Sequence, residues 1–187
     1  FAAGHSRLVT NGMEENQPIV RDNMILLHNG IVVNHESLWE QLPSDRLGEI
    51  DSEVILAVAA EHFHQGGDSK DVADKIMSLC EGAMSCALIL PEQGEIVLFS
   101  NTGSLYVGLT NEGRVFASEK HTLTSLGAIE IENIKNKAKV FSIPQSRKFI
   151  VEEKTIDRLN LIPKTPRSSV EEELLLYPSY ELQRCSK

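Results

Sequence analysis

The stretch Met24–Glu36, MILLHNGIVVNHE, constrains this chain more than any other. Met24, Ile25, Leu26 and Leu27 read as a strand buried on both faces, and a second apolar run, Ile31-Val32-Val33, follows His28-Asn29-Gly30. Asn-Gly between apolar runs is the strongest short signal for a tight hairpin turn. The other reading is a strand that stops at Asn29-Gly30 and presents a side-chain amide beside an unhindered backbone N–H, a pair suited to a developing oxyanion. The neighbouring segments favour the second.

The 187 residues suffice for one domain with a sizeable core. A net charge of −9 and a pI of about 5.2 argue against a nucleic-acid surface. No apolar segment approaches the roughly 20 residues of a membrane helix, and FAAGHSR lacks the basic end and apolar core of a signal peptide. Cys80, Cys86 and Cys185 do not form a disulfide framework, so a reducing cytoplasmic setting is expected.

Along the chain, Phe1–Thr10 reads as a strand broken by Gly4, and Met13–Pro18 as a polar loop. Asn34 suits the cap of a short helix ending at Pro43. Asp51-Ser52-Glu53 opens a second helix, whose Val54–Ala60 segment is apolar all round and therefore deeply buried, with Gly66-Gly67 as its stop. A third helix, capped by Asp68 or Ser69, carries the stripe Val72, Ile76, Leu79 and Cys80. Four short strands follow, Ala83–Leu90, Glu95–Ser100, Ser104–Thr110 and Arg114–Ser118; tight turns separate them and they read as an antiparallel meander. A helix near His121–Leu126 and strands near Lys137–Ile143 and Lys148–Glu152 complete an α+β pattern, with helices on one side of a sheet. Residues 158–187 read as a linker and a short helix.

Three clusters carry chemistry: Gly4-His5-Ser6-Arg7 with Thr10-Asn11-Gly12, then His28-Asn29-Gly30, then Asp51-Ser52-Glu53. A guanidinium suits a carboxylate and an aspartate suits an ammonium, and a free amino acid carries both groups. Taken singly, Arg7 also fits a surface ion pair, Thr10 a strand position and Asp51 a plain helix cap. His62 and His64 read as polar surface, because no cysteine or carboxylate completes a ligand set.

GHSRLVTNG, the Gln17-Pro18 loop, LLHNGIVVNHESLWEQL, EIDSEVILAV and SLYVGLTNEGRVFASE together resemble the class II glutamine amidotransferase domains of the N-terminal nucleophile hydrolases. They are closest in flavour to the glutaminase domains of the glucosamine-6-phosphate synthases. The resemblance spans roughly residues 1–143. It implies a four-layer αββα sandwich of antiparallel sheets whose first strands precede this chain, and hydrolysis of L-glutamine to glutamate and ammonia without cofactor or metal. It also implies site roles: Asn29 and Gly30 for the oxyanion, Arg7 with Thr10 for the α-carboxylate of glutamine, and Asp51 for its α-ammonium.

In that family an N-terminal cysteine attacks the amide. Residue 1 here is Phe, so the chain as given lacks the nucleophile, which is expected on an upstream segment; a non-catalytic glutamine-binding or regulatory domain is the alternative. Leu8 replaces the family's aromatic ring, and Asn11 the histidine of the sugar-phosphate synthases. The tail, ending Arg184-Cys185-Ser186-Lys187, weakly resembles the opening of N-acetyl-sugar amidotransferases of surface-polysaccharide synthesis. A synthase partner in amino-sugar or lipopolysaccharide synthesis is therefore expected, with no nucleic-acid or membrane partner.

Overall fold

The computed structural model describes residues 1–5 and 17–144, all within the first of two units, Phe1–Val151 and Glu152–Lys187. In chain order the elements are β1 (Ile19–Arg21), β2 (Met24–Val32), α1 (His35–Trp39), α2 (Glu53–His64), α3 (Val72–Leu79), β3 (Gly82–Leu90), β4 (Glu95–Ser100), β5 (Tyr106–Thr110), β6 (Gly113–Ala117), α4 (Lys120–Ser125), β7 (Ile129–Asn133) and β8 (Lys137–Ser142). The strands form two antiparallel sheets, a five-stranded one in the order β1-β2-β3-β4-β8 and a three-stranded one in the order β6-β5-β7.

The period-two alternation of β2, β3 and β4 supplies both cores of the sandwich. Leu26, Val32, Met84, Cys86, Leu88 and Phe99 face α2 and α3, where they meet Val54, Ile55, Val58 and Ile76. Residues of the opposite parity, Leu27, Ala87, Ile89, Ile96 and Leu98, face the small sheet and pack on Leu105, Val107 and Ile134. Helix α4 packs against all three strands of the small sheet and buries Leu123. The layers are thus helix, sheet, sheet, helix. The first two turns of α2 sit wholly inside: Val54 through Ala60 are at most 5% exposed, as an all-apolar segment requires, while its last turn reaches the surface at His64.

Several expectations change. The hairpin turn is at Asp22-Asn23, not at Asn29-Gly30. Both residues adopt positive φ (49° and 58°), the geometry a two-residue hairpin with right-handed strand twist demands. Strand β2 neither turns nor stops at Asn29-Gly30; its ladder with β3 runs unbroken from Ile25↔Ile89 to Val32↔Gly82. Asn34 does not cap α1 with its side chain. Its amide instead bonds the Leu79 carbonyl and the Glu81 N–H, tying the end of α3 to β3. Leu79 drops out of the buried stripe at 36% exposure, while Ala73 joins it.

The expected single meander divides between the sheets, since the chain leaves the large sheet after Ser100 and β5 pairs with β6 and β7 instead. Strand β7 was not expected, although Ile129-Glu130-Ile131-Glu132 alternates cleanly. Residues 1–5 form no strand. The strand near Lys148–Glu152 and the linker and helix of 158–187 lie outside the described residues. No helix among the described residues is long and apolar enough to cross a membrane.

Candidate functional site

The site grows from the edge of β2 that β1 leaves uncovered. Strand β1 pairs with β2 only over Met24–Leu26. Beyond that point the Gln17 side chain stands in for a strand: the His28 N–H donates to Gln17 Oε1 at 2.6 Å, and Gln17 Nε2 donates to the His28 carbonyl at 2.8 Å. Two pairs further on, the Val32 N–H donates to Asp51 Oδ2 at 2.7 Å. The alternation of an antiparallel strand that turns the His28 and Val32 N–H groups to this edge turns the Gly30 N–H to it as well. Between Gln17 and Asp51, then, runs a short length of strand edge bearing Gly30, with exposed Asn29 beside it.

Gly30 is dictated by close approach. It holds φ at +150°, and a Cβ there would lie 1.8 Å from the Ala83 carbonyl oxygen and 2.8 Å from His28 Nε2. No side chain fits.

Asp51, Ser52 and Glu53 are all buried at 4% exposure or less, at the point where the chain enters α2. Glu53 forms a buried ion pair with Arg21 of β1 (Nη1 to Oε1, 2.7 Å) and accepts the N–H groups of Leu47 and Gly48. Arg21 also donates to the Asp45 carbonyl at 2.9 Å and lies over the Trp39 ring. The segment 45–48 is thereby fixed to β1 and to the first turn of α2, which sets the direction in which Asp51 leaves the backbone.

His28, 2% exposed, joins the two halves of the site. Its Nδ1 lies 2.7 Å from Ser52 Oγ and its Nε2 3.3 Å from the Ala83 carbonyl. Burial lowers its pKa from the ordinary histidine value, the Ala83 carbonyl and Asp51 act against that shift, and His5 acts with it. Ser52 occupies the N-cap position of α2 but makes no capping bond with its hydroxyl.

Of the residues expected in a site, the structure brings Asn29, Gly30 and Asp51 to one strand edge, while Arg7 and Thr10 lie outside the described residues. Sequence reasoning missed the linking roles of His28 and Gln17, and it gave Ser52 no partner. Burial raises the thiol pKa of Cys86 well above its usual value and that of Cys80 to about 12. Both are packing residues, as expected. His62 Nε2 donates to the Asp68 carbonyl at 2.9 Å, closing the turn after α2. Among the described residues no cluster of His, Cys, Asp or Glu is placed to hold a metal.

Residues 5–125, well over half of the chain, match the model of a glutamine amidotransferase domain. The chain is 29% identical over 151 residues to the glutamine–fructose-6-phosphate aminotransferase (isomerizing) of Helicobacter pylori, an alignment covering 71% of this chain and 25% of that protein. It is 30% identical over 129 residues to the Chlamydia muridarum protein of the same name, covering 64% and 21%. The chain thus spans about a quarter of the length of these relatives. Among solved structures, the glutamine phosphoribosylpyrophosphate amidotransferase of B. subtilis superposes with a TM-score of 0.62 at 24% identity, covering 74% of this chain and 32% of that one. On these grounds the chain belongs to the class II glutamine amidotransferase domains and carries the sandwich fold of the N-terminal nucleophile hydrolases.

Proposed function

We propose that this domain binds L-glutamine along the open edge of β2 and hydrolyses its side-chain amide to glutamate and ammonia. The observation that carries the reading is the placement of Gly30 and of the Asp51-bound Val32 two residues apart on one edge, about 7 Å along a strand. That separation suits a ligand with an amide at one end and an α-ammonium at the other. Asp51 would take the ammonium. Arg7, helped by Thr10, would take the α-carboxylate.

Attack of a thiolate on the amide carbon places negative charge on the amide oxygen. The Gly30 N–H and the Asn29 side-chain amide would donate to that oxygen as the charge develops. The base that takes the thiol proton returns it to the amide nitrogen, and collapse of the tetrahedral species then releases ammonia and leaves a glutamyl thioester, which water hydrolyses to glutamate. The buried Cys80 and Cys86 thiols are unsuited to the attack, so the reading requires a different cysteine as nucleophile. The relatives' names speak for an amino-sugar acceptor downstream, and a synthase partner in surface-polysaccharide synthesis is the finer version of the same proposal. Free, buried cysteines fit a reducing cytoplasm.

The test is glutamine-dependent ammonia release by the intact protein that carries this domain. Release that is abolished by alkylating an exposed cysteine supports the reading. A glutamine-induced thermal shift without ammonia release would instead favour a regulatory glutamine-binding domain.

A further inference from the structure

His28 and Ser52 are buried polar side chains 24 positions apart that meet at 2.7 Å. The Ser52 hydroxyl sits where it could cap α2 and does not. Its position relative to two acceptors is informative. His28 Nδ1 is 2.7 Å away and Asp51 Oδ1 is 3.4 Å away, and a serine hydroxyl has one proton to give.

The direction of the first bond follows from the far side of the ring. The Ala83 carbonyl can only accept, so His28 Nε2 carries the proton toward it. In the neutral ring Nδ1 is then an acceptor, and the Ser52 proton goes to it. With that proton turned away, Asp51 keeps Oδ2 on the Val32 N–H and its Oδ1 takes no proton from Ser52.

We infer that His28 is a positioning residue of the glutamine site: held as its Nε2–H tautomer by the Ala83 carbonyl, it draws the Ser52 hydroxyl away from Asp51 and so keeps Asp51 Oδ1 available to a substrate ammonium. This inference rests on the glutamine-binding reading above. It also gives Gly30 a second task, since any Cβ at that position would displace both the Ala83 carbonyl and His28 Nε2 and so unlock the tautomer.

The experiment is calorimetric binding of L-glutamine and of its des-amino analogue, 4-carbamoylbutanoic acid, to the intact protein and its His28→Leu and His28→Leu/Ser52→Ala variants. His28→Leu removes the competing acceptor and leaves the Ser52 proton to Asp51 Oδ1, so it is expected to weaken glutamine about 3- to 10-fold and to leave the des-amino analogue unchanged, and adding Ser52→Ala is expected to restore glutamine binding. Equal weakening of both ligands by His28→Leu, no weakening of either, or a double variant no better than His28→Leu overturns the inference while leaving glutamine binding by the parent intact. Failure of the parent to bind glutamine overturns the glutamine reading and this inference with it. Nitrogen-15 shifts of His28 provide a readout independent of any variant: a protonated Nε2 and bare Nδ1 are expected at neutral pH, and a protonated Nδ1 in the neutral ring contradicts the mechanism.

Discussion

At the scale of single residues, Gly30 and His28 carry most of the consequence. A methyl group at Gly30 meets a backbone carbonyl, not the end of a flexible side chain, so neighbouring atoms cannot yield without parting β2 from β3. Gly30→Ala is therefore expected to destabilise the domain by several kcal/mol, seen as a large drop in the urea midpoint. An unchanged midpoint would show that the close approach to Ala83 does not exist. His28 predicts a pH dependence with a definite sign. Its folded-state pKa lies below the ordinary histidine value of 6.5. In the unfolded chain it takes up a proton as pH falls through that value, while in the folded protein it resists. The stability associated with neutral His28 is thus fully present above about pH 6.5 and declines as pH falls toward the folded pKa. Thermal melts between pH 7.5 and 5 should show that decline, and a His28→Gln variant that folds should flatten it. Asn29, Gly30 and Asp51 stand out in the sequence by their chemistry and by the family resemblance of their segments, and the structure brings them to one strand edge. The His28–Ser52 bond was not legible, since it joins residues 24 apart whose meeting depends on how α2 lies on the sheet.

At the scale of elements, the buried Arg21–Glu53 pair joins β1 to the first turn of α2 and orients the segment carrying Asp51. Removing one partner strands a charge in the interior and, for Glu53, also frees two backbone N–H groups. Arg21→Met alone should cost about 3–5 kcal/mol in denaturant titrations. The double variant Arg21→Met/Glu53→Leu should cost clearly less than the sum of the singles. Strict additivity would mean that the pair is not coupled. Sequence pattern identified α2 well, because an all-apolar helix has few places to go except the interior. The strand was expected to stop at Asn29-Gly30 and does not, for an equally physical reason. Asn-Gly has the intrinsic preference for a tight turn, but the β3 ladder holds it extended, and Asp22-Asn23 takes the positive φ values instead. Local propensity was overruled by pairing partners more than 50 residues distant in sequence.

At the scale of the whole molecule, the fold is a device for presenting one strand edge. Helices on one face and the small sheet on the other hold β2 rigid, β1 stops short, and the chain between α1 and α2 brings Asp51 to the place where β1 is absent. Tight-turn sequences told correctly where strands begin and end, yet they could not tell which sheet each strand joins. Strands β5 and β6 are read as hairpin partners from the sequence, but their separation from β3 and β4 appears only once Leu105, Val107 and Ile134 are seen packed on the face of the large sheet. The central claim is that this edge divides the work between amide activation at Asn29-Gly30 and ammonium recognition at Asp51. The most direct test is steady-state glutamine hydrolysis by the intact protein with Asn29→Ala and with Asp51→Asn. The account predicts that Asn29→Ala lowers kcat by about 10²–10³ with little change in KM. It predicts that Asp51→Asn raises KM by about 10- to 100-fold, the loss of one charge-assisted bond. Parent-like kinetics in both variants, or the same change in kcat and KM for each, would contradict it.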